Sequence, residues 1–435
     1  MNFGTTFAPP YAQASTLLAP NITTTTYSYN PAATSSNDGP YGQSAFAALW
    51  ASLNYTFQPL PFTTTVSPTP VPTSELVFPP ALYTPCPEVA DSCLDCYTFP
   101  SDFMWGVSSS AYQIEGGLQW EGRGPSTEDG NGVGTTADGN VDNMNYFFYK
   151  QDIVRLAAIG VPYLAFSIPW TRIVPFGYAN TPINSQALAH YADLLQTCLD
   201  NGIKPIVTLC HYDRPAFLSA DSDAFVPAFL YYAQQVMTHF GDIVPVWLTF
   251  NEPNLRPSAY FNNPLNGTTN VLLAHAEVYK WYKTVLGGTA QISMKFAHNL
   301  AIPQNYSSPA DNAAAQRYND FLVGIYGNPL FLGAQYPAEV LATADYNLTA
   351  LTGEQLNYIN GTMDFWAFDP YSAQFVYAPA EGVDACAANS SDPNWPWCAM
   401  TTNVQLNGWL MGNEGWNYQY IAPQYGMLCS VPIVS

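Results

Sequence analysis

Residues 248–254 read LTFNEPN, an apolar strand-like run that delivers an amide, Asn251, and a carboxylate, Glu252, just before a proline. A carboxyl group fixed at the end of a strand can give or take a proton, and two such groups about 5 Å apart can cleave a glycosidic bond with retention. Other polar side chains follow other apolar runs in the same way. Gln113 and Glu115 come after FMWGV (103–107), Arg172 after YLAFSI (163–168), and His211 after PIVTL (205–209). His298 and Asn299 come after ISMKFA (292–297), and Asp369 and Tyr371 after DFWAF (364–368). If these runs are parallel strands of one barrel, their C-terminal ends share a face and the side chains converge on one site.

The elements that must position them follow from periodicity. Between the apolar runs lie segments of helical spacing at 145–160, 184–202, 226–240, 270–285 and 311–325, with a cap expected at Asn184 and stops at Gly160 and Gly202. Short strands alternating with helices predict parallel βα units. A doubly wound sheet favours a Gly-rich phosphate turn after its first strand, and WGVSSSAYQIEGG has none in that place. The expected fold is therefore α/β, a (β/α)8 TIM barrel over residues 98–435. Residues 1–97 contain no Lys, Arg or His and are rich in Thr, Ser, Pro and Ala. They read as an arm or linker in which only AFAALWASLNYTF has the makings of a short docked helix.

The chain has 435 residues and a balance of 11 basic against 32 acidic, a net charge of -21, which disfavours nucleic acid and anionic membranes as partners. No run of 18 apolar residues exists, so no membrane span is expected. The eight cysteines have no spaced histidine partners, and no metal site is expected. Cys386 and Cys398 bracket a loop that a disulfide could close, Cys86 could pair with Cys93 or Cys96, and Cys198 and Cys210 fall in apolar runs suited to buried free thiols. Seven N-x-S/T sequons, at Asn21, Asn54, Asn266, Asn305, Asn347, Asn360 and Asn389, together with the cysteines and the scarcity of lysine, point to a secreted or extracellular glycoprotein, although the N-terminus carries no recognisable signal peptide.

The segments FPSDFMWGVSSSAYQIEGG, AFSIPWTRIVPFG, VTLCHYDRP, LTFNEPN and MDFWAFDPYSAQF, in this order, resemble family 1 of the glycoside hydrolases. FDPY, NGWLMG and YIAPQY are similar to its fungal β-glucosidase branch. The resemblance covers residues 98 to 434 and implies retaining hydrolysis of β-glucosides or short oligosaccharides without a cofactor. It implies Glu252 as acid/base, Asn251 at the sugar 2-hydroxyl, Gln113 and His211 on the glycone hydroxyls, and Tyr371 orienting the nucleophile. Asp369, which stands where most of the family has Asn, and Asn299 complete the expected substrate contacts. Ala165 replaces an Arg common in the family, and Tyr212 a Trp. Beyond YIAPQY the family continues to a strand ending in its Glu nucleophile, whereas here the text reads GMLCSVPIVS. The expectation is a C-terminally incomplete barrel, lacking strand 8 and most of the strand 7 unit, with no nucleophile in the chain. Glu414 in MGNEGW belongs to a loop and is a poor substitute. An inactive sugar-binding protein, or an incomplete reading of the gene, is the alternative.

Overall fold

The computed structural model describes residues 6–28, 39–72, 100, 102–132, 138–254 and 264–408. The chain divides into two compact units, the first comprising residues up to 216 with 235–247 and 286–290, the second 217–234, 248–285 and the chain from 291 on.

In the first unit, three strands run parallel in the order Val107–Ser108, Tyr163–Ser167, Lys204–Cys210. The first two come so close that a Cβ at Gly106 would lie 2.3 Å from the Tyr163 carbonyl oxygen, so only glycine fits there. The helix Asn145–Ala158 leads into the second strand, and Ser185–Asp200 into the third. Ser185–Asp200 starts where the sequence signals it: the Asn184 side chain accepts from the amides of Gln186 and Ala187, satisfying donors that the first turn leaves unpaired. Phe103, Trp105 and Val107, beside and within the shortest strand, are 48%, 52% and 38% exposed.

The N-terminal segment packs on this unit. Its helix Gln43–Ala51 buries Phe46 and Trp50, with Tyr27 stacked on Phe46 at 4.7 Å and the Trp50 indole donating to the Arg123 carbonyl at 2.9 Å. Further along, the Gln58 amide donates to Asp138 at 2.8 Å, and Asn140 donates back to the Gln58 carbonyl at 2.6 Å. With no charged side chain in 6–28 or 39–72 and too few apolar ones to make a core of its own, the segment buries its aromatics against the rest of the unit.

In the second unit the strand Gln291–Pro303 runs parallel to Ala367–Tyr377, which pairs antiparallel with Met400–Thr402. The first two are longer than the apolar runs suggest, because backbone pairing continues past the last apolar residue. Leu300, Ile302, Ala373 and Phe375 form one core cluster between them, and Ala301, Ala314, Ala315 and Val376 another against the helix Pro309–Asn319. The strand Val246–Asn251 is buried at every position, the signature of a strand covered on both faces. Phe229 stacks on its Phe250 at 4.2 Å. Cys386 and Cys398 form a disulfide, and Cys198 and Cys210 are free and buried. Among the described residues no helix is long and apolar enough to cross a membrane.

Candidate active site

Glu252 lies one residue past the end of its strand, 2% exposed, with φ at +47°. A left-handed conformation is uncommon outside glycine and persists where the surroundings over-determine it. Here three contacts do so. The Glu252 amide donates to the Lys295 carbonyl at 2.6 Å, and the Pro253 carbonyl accepts from the Tyr326 hydroxyl at 3.1 Å. The third contact is a latch made by Asn254, 3% exposed. Its amide nitrogen donates to the carbonyls of Ala297 and Leu322 at 2.7 and 2.9 Å, and its oxygen accepts from the Ala297 amide at 3.0 Å. Upstream, Thr249 bonds His275 Nδ1 at 2.7 Å while His275 Nε2 faces the Thr362 carbonyl at 2.8 Å. The carbonyl can only accept, so Nε2 carries the proton and Nδ1 accepts from the threonine; burial pushes the imidazole down to about 4 and keeps it neutral.

Asn251 is 1% exposed, directly before Glu252. Asp369 lies inside the 367–377 strand, not after it, and pairs with Lys295 Nζ at 2.8 Å. Lys295 thus serves the site twice, by its carbonyl to Glu252 and by its ammonium to Asp369. The register shifts between His298 and Asn299: His298 faces Pro370 and Asn299 faces Ser372, which makes Tyr371 the extra residue of a bulge. A bulge re-aims a side chain relative to the regular pleat, and such distortions gather next to active sites. The side chains of His298 and Asn299 lie outside the described residues, as do Trp409, Glu414, Cys86, Cys93, Cys96 and Cys429.

In the first unit, Gln113 sits on the short helix Ala111–Ile114, exposed, its side-chain oxygen accepting from the Ser110 hydroxyl. The Ala111 amide donates to Ser167 Oγ at 2.8 Å, which ties this turn to the strand beside it. Glu115 and Arg172, two of the polar residues expected at strand ends, spend their charges on each other at 2.8 Å. Arg172 also donates to the Gly116 carbonyl at 2.9 Å and lies over the Tyr146 ring at 3.9 Å, while Tyr191 donates to Glu115 at 2.6 Å. The pair clamps the loop that carries Gln113. His211 is half-buried and meets Tyr212 edge-on at 5.3 Å. Tyr212 has φ at +71°, and its carbonyl accepts from the Arg214 amide at 2.8 Å and the Thr127 hydroxyl at 3.1 Å. Next to it Asp213 is 1% exposed, its carboxyl pushed up to about 7, above all by burial and against the pull of Arg123.

The second unit therefore brings together Asn251, Glu252, Lys295 and Asp369, and the first fixes the backbones that carry Gln113 and His211. The sequence reading missed Asn254 and Lys295. Lys295 had a signal, a lone cation in the otherwise apolar run ISMKFA; Asn254 stood in LTFNEPN without one. Trp395 donates to the Ala344 carbonyl at 3.0 Å and Trp397 lies 5.5 Å from the Phe321 ring. Glu381, Cys386 and Asp392 come together among the described residues, but the disulfide occupies the sulfur a metal would need.

Residues 96–394 match the profile of glycosyl hydrolase family 1. The chain is 33% identical over 313 residues to rat lactase/phlorizin hydrolase, spanning 64% of this chain and 16% of that protein. It is 33% identical over 319 residues to beta-glucosidase 1B of Phanerodontia chrysosporium, covering 65% of this chain and 58% of that one, and 29% identical over 357 residues to myrosinase 1 of Brevicoryne brassicae, covering 73% and 74%. Among solved structures it is similar to beta-glucosidase 2 of Trichoderma reesei, with a TM-score of 0.66, 26% identity, and coverage of 76% of this chain and 77% of that one. The fold class is the (β/α)8 barrel, of which the described strands and helices form a part. With its profile match and its strand-end acidic turn, the chain belongs to glycosyl hydrolase family 1.

Proposed function

We propose that this chain supplies the proton-donating half of a retaining β-glucosidase site, with Glu252 as acid/base. The observation that carries the proposal is the fixed, buried Glu252 turn, held by Lys295, Tyr326 and Asn254. Burial from water favours the neutral form of a carboxyl, as a proton donor to a leaving oxygen requires. By resemblance to the family, Asn251 is assigned to the sugar 2-hydroxyl, and Gln113, His211, Asn299 and Asp369 to further substrate contacts. Tyr371 orients the second carboxylate, which must stand about 5 Å from the first for retention. The substrates are β-glucosides or short β-linked oligosaccharides. The test is turnover of an aryl β-glucoside and its α-anomer by protein from its native source, with the product anomer followed by NMR. Release of β-glucose from the β-substrate alone supports the reading; α-glucose as first product overturns it, and tight glucoside binding without turnover moves the chain to the sugar-binding alternative.

The protein is also proposed to be a secreted glycoprotein. Asn21, Asn54, Asn347, Asn360 and Asn389 are all exposed in their sequons. An intact mass unchanged by amidase deglycosylation would remove this part.

A further inference from the structure

We infer that the first unit carries a second, non-catalytic binding site for neutral sugars, built by the N-terminal segment on the loop 119–121. A cavity of about 780 Å³ lies there, walled by residues 26–28 and 57–60 with Thr63 from the segment, and by Gln119, Trp120, Glu121, Asn140 and Gln186 from the rest of the unit. That is the size of a small-molecule site. Eight of its thirteen lining residues precede residue 96, where the match to the family begins, and none of the thirteen is among the residues assigned to the glucosidase site.

The wall is rigid where it must be. Asn140 holds the Leu118 amide at 2.8 Å on one side and the Gln58 carbonyl at 2.6 Å on the other. Its chemistry is selective. Among the described residues the one charged group lining it, Glu121, accepts from the Tyr146 hydroxyl at 2.8 Å, and no cation lines the cavity to attract an anion. The side chains of Gln119, Gln186, Thr26 and Thr63 make no hydrogen bond within the described protein. An amide presents a donor and an acceptor on one planar head, which matches neighbouring sugar hydroxyls. Half-buried Trp120 and Phe57 offer aromatic surface for the C–H face of a pyranose. Amides, hydroxyls and aromatics without free charge fit a neutral oligosaccharide better than a nucleotide, an acidic peptide or a lipid.

The experiment is calorimetric titration of the full chain with cellotetraose, xylotetraose and mannotetraose, comparing the parent with the Gln119→Ala/Gln186→Ala variant. Both positions are half-buried at most, so the fold is expected to survive, and an unchanged melting temperature checks it. At least one tetrasaccharide is expected to show a binding event that the double substitution weakens about fivefold or more, the loss expected for two hydrogen bonds. Cleavage of a small aryl glucoside is expected to stay unchanged. As a second readout, the fluorescence change on titration is expected to fall in Trp120→Phe. The inference is overturned if no tetrasaccharide binds saturably, or if the variants bind all three as the parent does. Because the readout is one binding event per chain, it succeeds or fails whatever the role of Glu252.

Discussion

Asn254→Asp is nearly isosteric and keeps the oxygen that accepts from the Ala297 amide, yet it replaces the nitrogen that donates to two carbonyls at 2.7 and 2.9 Å. An ionised aspartate would press an oxygen against those two carbonyl oxygens in a site that is 3% exposed. The carboxyl must then hold a proton, and a protonated carboxyl has one donor where the amide had two. At pH 4 the variant should be less stable than the parent by about 1 kcal/mol, one hydrogen bond. The proton binds more tightly in the folded chain than in the unfolded one, so stability falls as pH rises above about 4. A buried carboxyl can be raised by about 3 units, each about 1.4 kcal/mol, which brings the deficit at pH 7 to about 5 kcal/mol or to local release of the Glu252 turn. Denaturant unfolding at both pH values, with kcat alongside, reads this directly. A deficit that stays the same between pH 4 and pH 7 would refute the reasoning, because the latch would then not be built on the two donors.

Two further substitutions probe the electrostatics. Asp213 binds its proton up to about pH 7 when folded and only to about 3.8 as an unperturbed group, so it lowers stability as pH rises through that window, by about 4 kcal/mol in all. Asp213→Asn cannot titrate and should melt higher than the parent at pH 8 but not at pH 4; equal melting shifts at both would contradict this. The Lys295–Asp369 pair is partly exposed, its side chains 14% and 31% accessible, so its net contribution is about 1 kcal/mol or less. Asp369→Asn should therefore cost little in denaturant unfolding, and the small difference should shrink in high salt; a loss of several kcal/mol would show that the pair is structural.

Much of this was legible in the sequence because it rests on local rules. Apolar runs at strand length gave the cores of the strands at 163–167, 204–210 and 246–251, and Asn184 announced its helix. What local rules miss is pairing. The strands at 291–303 and 367–377 extend beyond their apolar runs because each supplies the other's backbone partners, and the bulge that singles out Tyr371 exists only in their joint register. Arg172 and Glu115 looked like site residues for the same reason that Glu252 did, a polar group after an apolar run. Only the fold shows that these two neutralise each other while Lys295 attends Glu252 and Asp369. Where the helix expected from AFAALWASLNYTF docks was equally hard to read, since partners such as Arg123 for Trp50 stand 73 residues away in the chain.

The account turns on Glu252, and the most direct measurement is kcat/KM of Glu252→Gln against two β-glucosides that differ only in leaving group, one a phenol of low pKa and one an alkyl alcohol. If Glu252 protonates the departing oxygen, the alkyl glucoside should lose about 10² to 10⁴ in rate, while cleavage of the activated phenyl glucoside, which needs little protonation, should fall far less. An equal loss on both, or no loss on either, would contradict Glu252 as the acid.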